Sequence, residues 1–272
     1  MDLVQAVILG IVQGMTEFLP ISSSGHLVLF GALLKVDEPG MLLEIMLHFG
    51  TLIAVFAAFW RETALLAKAV FIMLGNPTKI GKLVKENPGC RLVVIILLAT
   101  VPAAVFGLAA NDWLARLFDN PRFTGAMLCV TGTILFLSNR ARPGGKTLEE
   151  IGSGDGLAIG FAQALAVLPG ISRSGTTIAA GLFRGINRES AAKFSFLLSI
   201  PAVLGSQLLA VKELVDNPAV GVPLPAAVVG TVTAAVSGYF AIRLLLNFVR
   251  RGRLTVFSYY TWIVGLIVLL LA

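Results

Sequence analysis

One short polar sequence occurs twice in this chain, 150 residues apart and both times inside apolar sequence. Residues 10–25 read GIVQGMTEFLPISSSG and residues 160–175 read GFAQALAVLPGISRSG, aligned without a gap. The copies agree at Gly10/Gly160, Gln13/Gln163, Ile21/Ile171, Ser22/Ser172, Ser24/Ser174 and Gly25/Gly175. Each sets a proline and a Ser/Gly cluster between two hydrophobic helical stretches. Irregular backbone of that kind is not tolerated against lipid and has to be buried in protein or line a water-filled cavity. Paired interruptions in the two halves of a membrane protein point to its binding site.

The rest of the composition agrees with a bilayer. Hydrophobic residues make up 57% of the 272 and charged residues 13%, and the mean hydropathy is +0.89, far outside soluble globular usage. The expected fold class is all-α: a polytopic integral membrane protein folded as one membrane domain over 1–272. The N-terminus lacks the basic segment of a cleavable signal peptide, so the first apolar helix is expected to be inserted and kept. The formal charge of +6 fits cytoplasmic loops retained by Lys and Arg better than nucleic-acid binding, and no nucleic-acid partner is expected. Cys90 and Cys129 have no metal-ligand spacing and read as small hydrophobes.

Stretches long enough to cross, at roughly 20 residues per span, fall at about 41–60, 91–110, 121–138, 190–211, 224–248 and 254–272. The shorter apolar pieces 3–18, 25–34, 156–168 and 175–186 flank the two repeated sequences. Each pair is read as a re-entrant helical hairpin. Loop charges fix the sides. Arg61, Lys68, Lys79, Lys82, Lys85 and Arg91 place 61–91 in the cytoplasm. Asp112, Arg116 and Asp119 suit the outside, Arg140, Arg142 and Lys146 the inside, as do Arg184, Arg188 and Lys193. Lys212, Glu213 and Asp216 then lie outside and Arg250, Arg251 and Arg253 inside. The first hairpin thus enters from outside and the second from the cytoplasm. The match becomes an inverted-topology repeat, repeat one about 1–75 and repeat two about 151–250, whose turns can meet near the midplane. Residues 62–75 are expected to form an interfacial or partly embedded helix.

Glu17 lies one helical turn after Gln13 on the same face, and an ionisable group at membrane depth is costly unless paired or functional. Its carboxylate, with the Gln13 amide oxygen, could hold a divalent cation. The bland reading is a Glu snorkelling to the interface. His26 opens the next half-helix. A lone His is commonly structural, but next to Glu17 and Ser22, Ser23 and Ser24 it completes the ingredients of nucleophilic or general acid/base catalysis. The second copy has Val167 for Glu17 and Thr176 for His26, and sets Arg173 opposite Ser23. Arg forks well onto phosphate oxygens, whereas a structural Arg would pair with a nearby carboxylate; the nearest in sequence is Asp155, expected at the cytoplasmic surface. Both turns open helices, whose free N–H groups and positive ends would converge with the hydroxyls of Ser172, Ser174, Thr176 and Thr177 on an anion site. Each turn taken alone is also an ordinary helix cap. His48, four residues after Glu44, either lines the cavity or makes a structural contact. Pro102 and Pro201 read as kinks, and the small residues in 221–238 permit a homodimer without demanding one.

In QGMTEFLPISSSGH, residues 13–26, and PGISRSGTTI, residues 169–178, the chain resembles the bacterial undecaprenyl-diphosphate phosphatases, the bacitracin-resistance family of integral membrane enzymes. The likeness extends over the whole chain in length, spacing and hydropathy. It implies removal of the terminal phosphate from undecaprenyl diphosphate, giving the monophosphate carrier of cell-wall synthesis in the bacterial cytoplasmic membrane. By motif position, Gln13 and Glu17 fall at the family's acidic site for Mg²⁺ or Ca²⁺, and Ser23 and His26 at its proposed nucleophile or acid/base positions. Ser172, Arg173 and Thr177 fall in its phosphate-binding turn. Members often have Glu where this chain has Gln13, which leaves one carboxylate fewer. The resemblance also implies an active site opening to the outer face.

The expected catalytic set is therefore Glu17, Ser23, His26 and Arg173, with Ser22, Ser24, Gly25, Ser172, Ser174, Gly175, Thr176 and Thr177 binding a polyprenyl diphosphate among membrane lipids. The attacking group is left open among Ser23, His26 and water. Inverted repeats with broken helices are also transporter architecture, so a carrier of lipid phosphate or a small anion is the alternative. A carrier needs no nucleophile, which favours the enzyme.

Overall fold

The computed structural model describes residues 2–34, 36, 41–118, 120–141, 144–216 and 223–271. The elements are helical: α1 Leu3–Phe18, α2 Ser23–Leu33, α3 Met41–Ala58, α4 Trp60–Gly75, α5 Ile80–Glu86, α6 Pro88–Ala109 and α7 Asn111–Phe118. They continue as α8 Pro121–Asn139, α9 Ser153–Leu165, α10 Arg173–Phe183, α11 Arg188–Asp216, α12 Leu224–Arg250 and α13 Thr255–Leu271. Asp119 and Arg142 of the loop charges, and 221–222 of the small-residue stretch, lie outside the described residues.

Local chemistry sets the boundaries. Asp2 and Gln5 form a reciprocal capping box on α1, and Asn87 and Asn120 cap α6 and α8, each with Pro at the first helical position. Large apolar side chains face outward, among them Phe161, Leu208 and Phe240, as hydrocarbon contact requires. By length and apolarity α6, α8, α11 and α12 can each cross a membrane, and α3 with α4 makes a fifth if that bent pair is one span. The 17 residues of α13 are apolar but short of the usual span. Five of the six stretches expected to cross each fall on one helix, and 41–60 covers α3 and runs past its end to the first residue of α4.

Between α3 and α4 the axis turns by 97°, so the helix foreseen at 62–75 leaves the direction of the span before it. The segment 111–120, read as a plain loop, contains α7, with Trp113 and Phe118 exposed. Eight residues of NDWLARLF are too few to announce a helix by periodicity alone, and their amphipathic face becomes meaningful only beside α6 and α8.

The two hairpins are seated alike. In the first, α1 packs against α12 and α3; in the second, α9 packs against α6. Gly10 is the contact residue of α1: a Cβ there would stand 2.6 Å from the Gly230 carbonyl oxygen. Its repeat counterpart Gly160 does the same for α9, where a Cβ would stand 2.4 Å from the Ala99 oxygen. Identity between the copies at this position thus has a packing cause, since only glycine lets the backbones approach so closely. A buried apolar cluster containing Phe18, Phe59, Phe194 and Phe196 lies under the hairpin tips.

Charges assigned above to the cytoplasmic loops meet at one end of the bundle. Lys193 pairs with Glu62 at 3.1 Å and Glu189 at 3.4 Å, and Arg250 with Glu189 at 2.9 Å. Asp155 caps the start of α9 and accepts from Lys146 at 3.0 Å and Arg184 at 2.9 Å. Burial works against its ionisation, but Lys146, the Gly152 N–H and Arg184 hold the carboxyl below the ordinary carboxylate range.

Candidate active site

The first turn exists because α1 cannot continue. Pro20 has no N–H and disfavours helix in the residue before it, so Leu19 leaves in extended geometry, φ −65° and ψ 140°. The chain then reverses through Ser22 at φ 70°, a left-handed conformation that costs a non-glycine residue energy and clusters at functional sites. In the second turn the left-handed residue is Gly170, φ 91°, which carries no such cost. Thr131 of α8 fixes that second turn from the side. Its hydroxyl donates to the Gly170 carbonyl at 2.9 Å and accepts the Ser172 N–H at 3.1 Å.

The two turns meet. A cavity of about 80 Å³ is lined by Glu17 and Ser22, Ser23 and Ser24 from one and by Ser172 and Arg173 from the other. Glu17 and Arg173 form an ion pair across it, joining residues 156 apart in sequence. Their side chains are 8% and 21% exposed, so the pair is largely desolvated. The other Glu17 oxygen accepts from the Ser23 hydroxyl at 2.7 Å and from Gln13 Nε2 at 3.2 Å. Thus Arg173 has a carboxylate partner, but it comes from the opposite half of the chain and Asp155 is engaged elsewhere. The helices α2 and α10 begin at Ser23 and Arg173 and bring their positive ends to the same cavity.

Other expected residues are committed differently. His26 Nδ1–H donates to the Ser22 carbonyl at 2.8 Å, and Nε2 meets the Tyr260 hydroxyl at 2.7 Å. The ring therefore braces the strained Ser22 turn and is not bonded to Glu17 or Ser23. Ser172 caps α10 by accepting from the Gly175 N–H at 3.2 Å, and its hydroxyl lies 3.3 Å from that of Ser174. Thr177 donates to the Arg173 carbonyl at 2.7 Å and lies 2.6 Å from the Ser195 hydroxyl, so it holds the Arg173 backbone. Thr176 is buried with its hydroxyl unpartnered, and Gly25 and Gly175 lie in the first turns of α2 and α10. His48 stands within Coulombic reach of Glu17, its Nδ1–H turned to the Glu44 carbonyl at 2.9 Å.

Tyr260, Thr131 and Ser195 were not foreseen. Each is one of several polar residues in a largely apolar helix, outside the repeated sequences, and only the fold brings it to a turn.

Oxygen donors from α1 gather beside the cavity. Gln13 is buried and its Oε1 has no hydrogen-bond partner, beside the one carboxylate of Glu17. No group of three or more His, Cys, Asp or Glu side chains that could hold a metal occurs among the described residues. One carboxylate, one amide oxygen and hydroxyls are hard oxygen donors that suit Mg²⁺ or Ca²⁺ when phosphate oxygens complete the shell. On that donor set the residues fit.

Residues 6–267 match the family described as Bacitracin resistance protein BacA. The chain is 44% identical to the undecaprenyl-diphosphatase of Desulforapulum autotrophicum, over 98% of this chain and 97% of that one. It is 44% identical to the undecaprenyl-diphosphatase of Carboxydothermus hydrogenoformans, over 100% and 98%, and 41% identical to that of Halothermothrix orenii, over 100% and 99%.

Proposed function

The chain belongs to the bacitracin resistance protein family, BacA, and on that premise we propose that it is a membrane phosphatase that hydrolyses undecaprenyl diphosphate to the monophosphate and inorganic phosphate. Hydrolysis returns the lipid carrier to cell-wall synthesis in the bacterial cytoplasmic membrane. One observation carries the assignment to this site: Glu17, Ser23 and Arg173, from turns 150 residues apart, share one small cavity. Ser23 hydrogen-bonded to a carboxylate is a nucleophile with a base, which an anion carrier does not need.

In the proposed reaction the diphosphate enters between the two helix starts. Arg173 turns from Glu17 to the phosphoryl oxygens and neutralises charge that builds in the transition state. Glu17, freed of Arg173, takes the Ser23 proton as Oγ attacks the terminal phosphorus. The bond to the bridging oxygen breaks and the lipid monophosphate leaves. Water then hydrolyses the phosphoseryl ester and Ser23 regains its proton. Ser22, Ser24, Ser172 and Ser174, with the N–H group of the turn at Gly25, orient the phosphates, and the Gly175 N–H holds the Ser172 hydroxyl in place. His26 keeps Ser22 in its strained geometry, while Thr177 supports the second turn. Gln13 and Glu17 would hold Mg²⁺ or Ca²⁺, which when bound supplies charge neutralisation at the phosphate oxygens.

We further assign repeat one to about 1–75 and repeat two to about 151–250, with six crossings and the cavity opening to the outer face. The matched seating of the two half-helices supports the repeat: Gly10 lies on Gly230 as Gly160 lies on Ala99. The small residues of α12 expected to permit a homodimer are buried inside the molecule, where Gly230 and Gly238 pack against α1 and α3.

The test is phosphate release by purified protein from undecaprenyl diphosphate, with Mg²⁺ or with a chelator. Metal-dependent release that disappears in Ser23→Ala and Arg173→Ala is the expected result. Release that survives in Ser23→Ala would move the attack to water, and lipid translocation without release would make the protein a carrier.

A further inference from the structure

A second cavity, of about 210 Å³, opens beside the catalytic one. Its walls are Val28 and Leu29 of α2, Phe118 of α7, Leu128 of α8 and Val264 and Val268 of α13. It is almost wholly apolar. The two cavities share one residue, Ser24, which follows Ser23 in the chain. Building on the proposed activity, we infer that this groove seats the first isoprene units of the substrate, with its polyprenyl chain leaving the diphosphate past Ser24 and running between α2, α8 and α13.

Two observations favour a prenyl chain over other membrane lipids. In a prenyl diphosphate the hydrocarbon is bonded directly to the phosphate oxygen, so apolar walls have to begin within a bond or two of the phosphoryl site. Here they do. In a glycerophospholipid the same position would hold glyceryl esters, whose carbonyls would have only the hydroxyls of Ser24 and Thr124 and the His26 ring near them among Val, Leu and Phe, and would be buried at a cost. The walls also agree in depth. By the charge-based topology, α8 runs inward from residue 121 and α13 runs outward to 271, while α2 returns to the outer side. The segments 24–29, 118–128 and 264–268 then lie in the outer half of the bilayer, on the side to which the catalytic cavity is assigned.

Wall-narrowing variants test this by substrate length. Val264→Trp and the rim variant Val28→Trp should lower kcat/KM for undecaprenyl diphosphate about tenfold, yet leave that for isopentenyl diphosphate, with its single isoprene unit, within about twofold. Val232→Trp, on an exposed face of α12, should alter neither. Equal losses on both substrates, or no loss on either, would overturn the groove. A prenyl diphosphate with a diazirine in its second isoprene unit supplies a reading independent of turnover. Label within 24–29, 118–128 or 264–268 supports the inference, and label on α3 or α12 refutes it. If the wild-type protein releases phosphate from no prenyl diphosphate, the proposed activity fails, while the labelling pattern still decides the groove.

Discussion

At the residue scale the site is governed by one desolvated ion pair. Removing a single member of such a pair leaves an uncompensated charge, which costs about 3–5 kcal/mol, whereas removing both often costs far less. Glu17→Ala and Arg173→Ala should therefore each lower the melting temperature in detergent, and the double variant should melt above either. None of the three should release phosphate. Strictly additive losses of stability would show that the pair is not coupled, and near-normal turnover in any variant would remove that residue from the mechanism. Glu17 and Arg173 were legible because a charge inside an apolar repeat is an anomaly on its face. Their bond to each other was not, because a contact across 156 residues depends on how the hairpins are seated. Tyr260 left no mark at all: it meets His26 across 234 residues from within an ordinary apolar helix.

At the element scale the half-helices declare themselves by length, since pieces such as α1 and α9 are too short to cross and end at a turn of Pro, Gly and Ser. Their ends were read to within two or three residues. What the repeat could not tell is where each half-helix leans, and the glycine identities supply that. Gly160→Ala would drive a Cβ to within 2.4 Å of a backbone oxygen, so α9 has to move off α6, at a cost of about 1–3 kcal/mol. Because α9 leads directly into the turn that carries Arg173, phosphate release should fall about tenfold or more. Gly31→Ala on α2 is the matched control: its Cβ meets nothing within 4 Å, and alanine should hold or slightly raise the melting temperature. Equal behaviour of the two variants would contradict the packing role. The helix α7 escaped the sequence for a related reason: a short amphipathic piece has no visible period until its neighbours define a face, whereas the helix expected at 62–75 is α4, set at 97° to α3.

At the scale of the whole molecule, the loop charges foretold which segments share an end, and the ion pairs among Glu62, Glu189, Lys193 and Arg250 join several of them. Asp155 ties the second hairpin to that end. Its carboxyl is held below the ordinary value, near 3.9 for Asp in an unfolded chain, so its contribution is complete above that pH and is lost as pH falls through the lower folded value. Asp155→Asn should flatten the fall in melting temperature below about pH 4, and an unchanged acid limb would place the sensitivity elsewhere. Inversion of the two hairpins rests on the same charges and has its own consequence. In the proposed topology three crossings separate the copies, which assigns a side to each loop between Lys79 and Lys212. In a background of Cys90→Ala and Cys129→Ala, Lys212→Cys should react with an impermeant maleimide on intact cells, and Lys79→Cys only after lysis. Both positions are exposed, so silence would not come from burial. Reaction of both from one side would make the number of crossings between Lys79 and Lys212 even and overturn the charge-based topology.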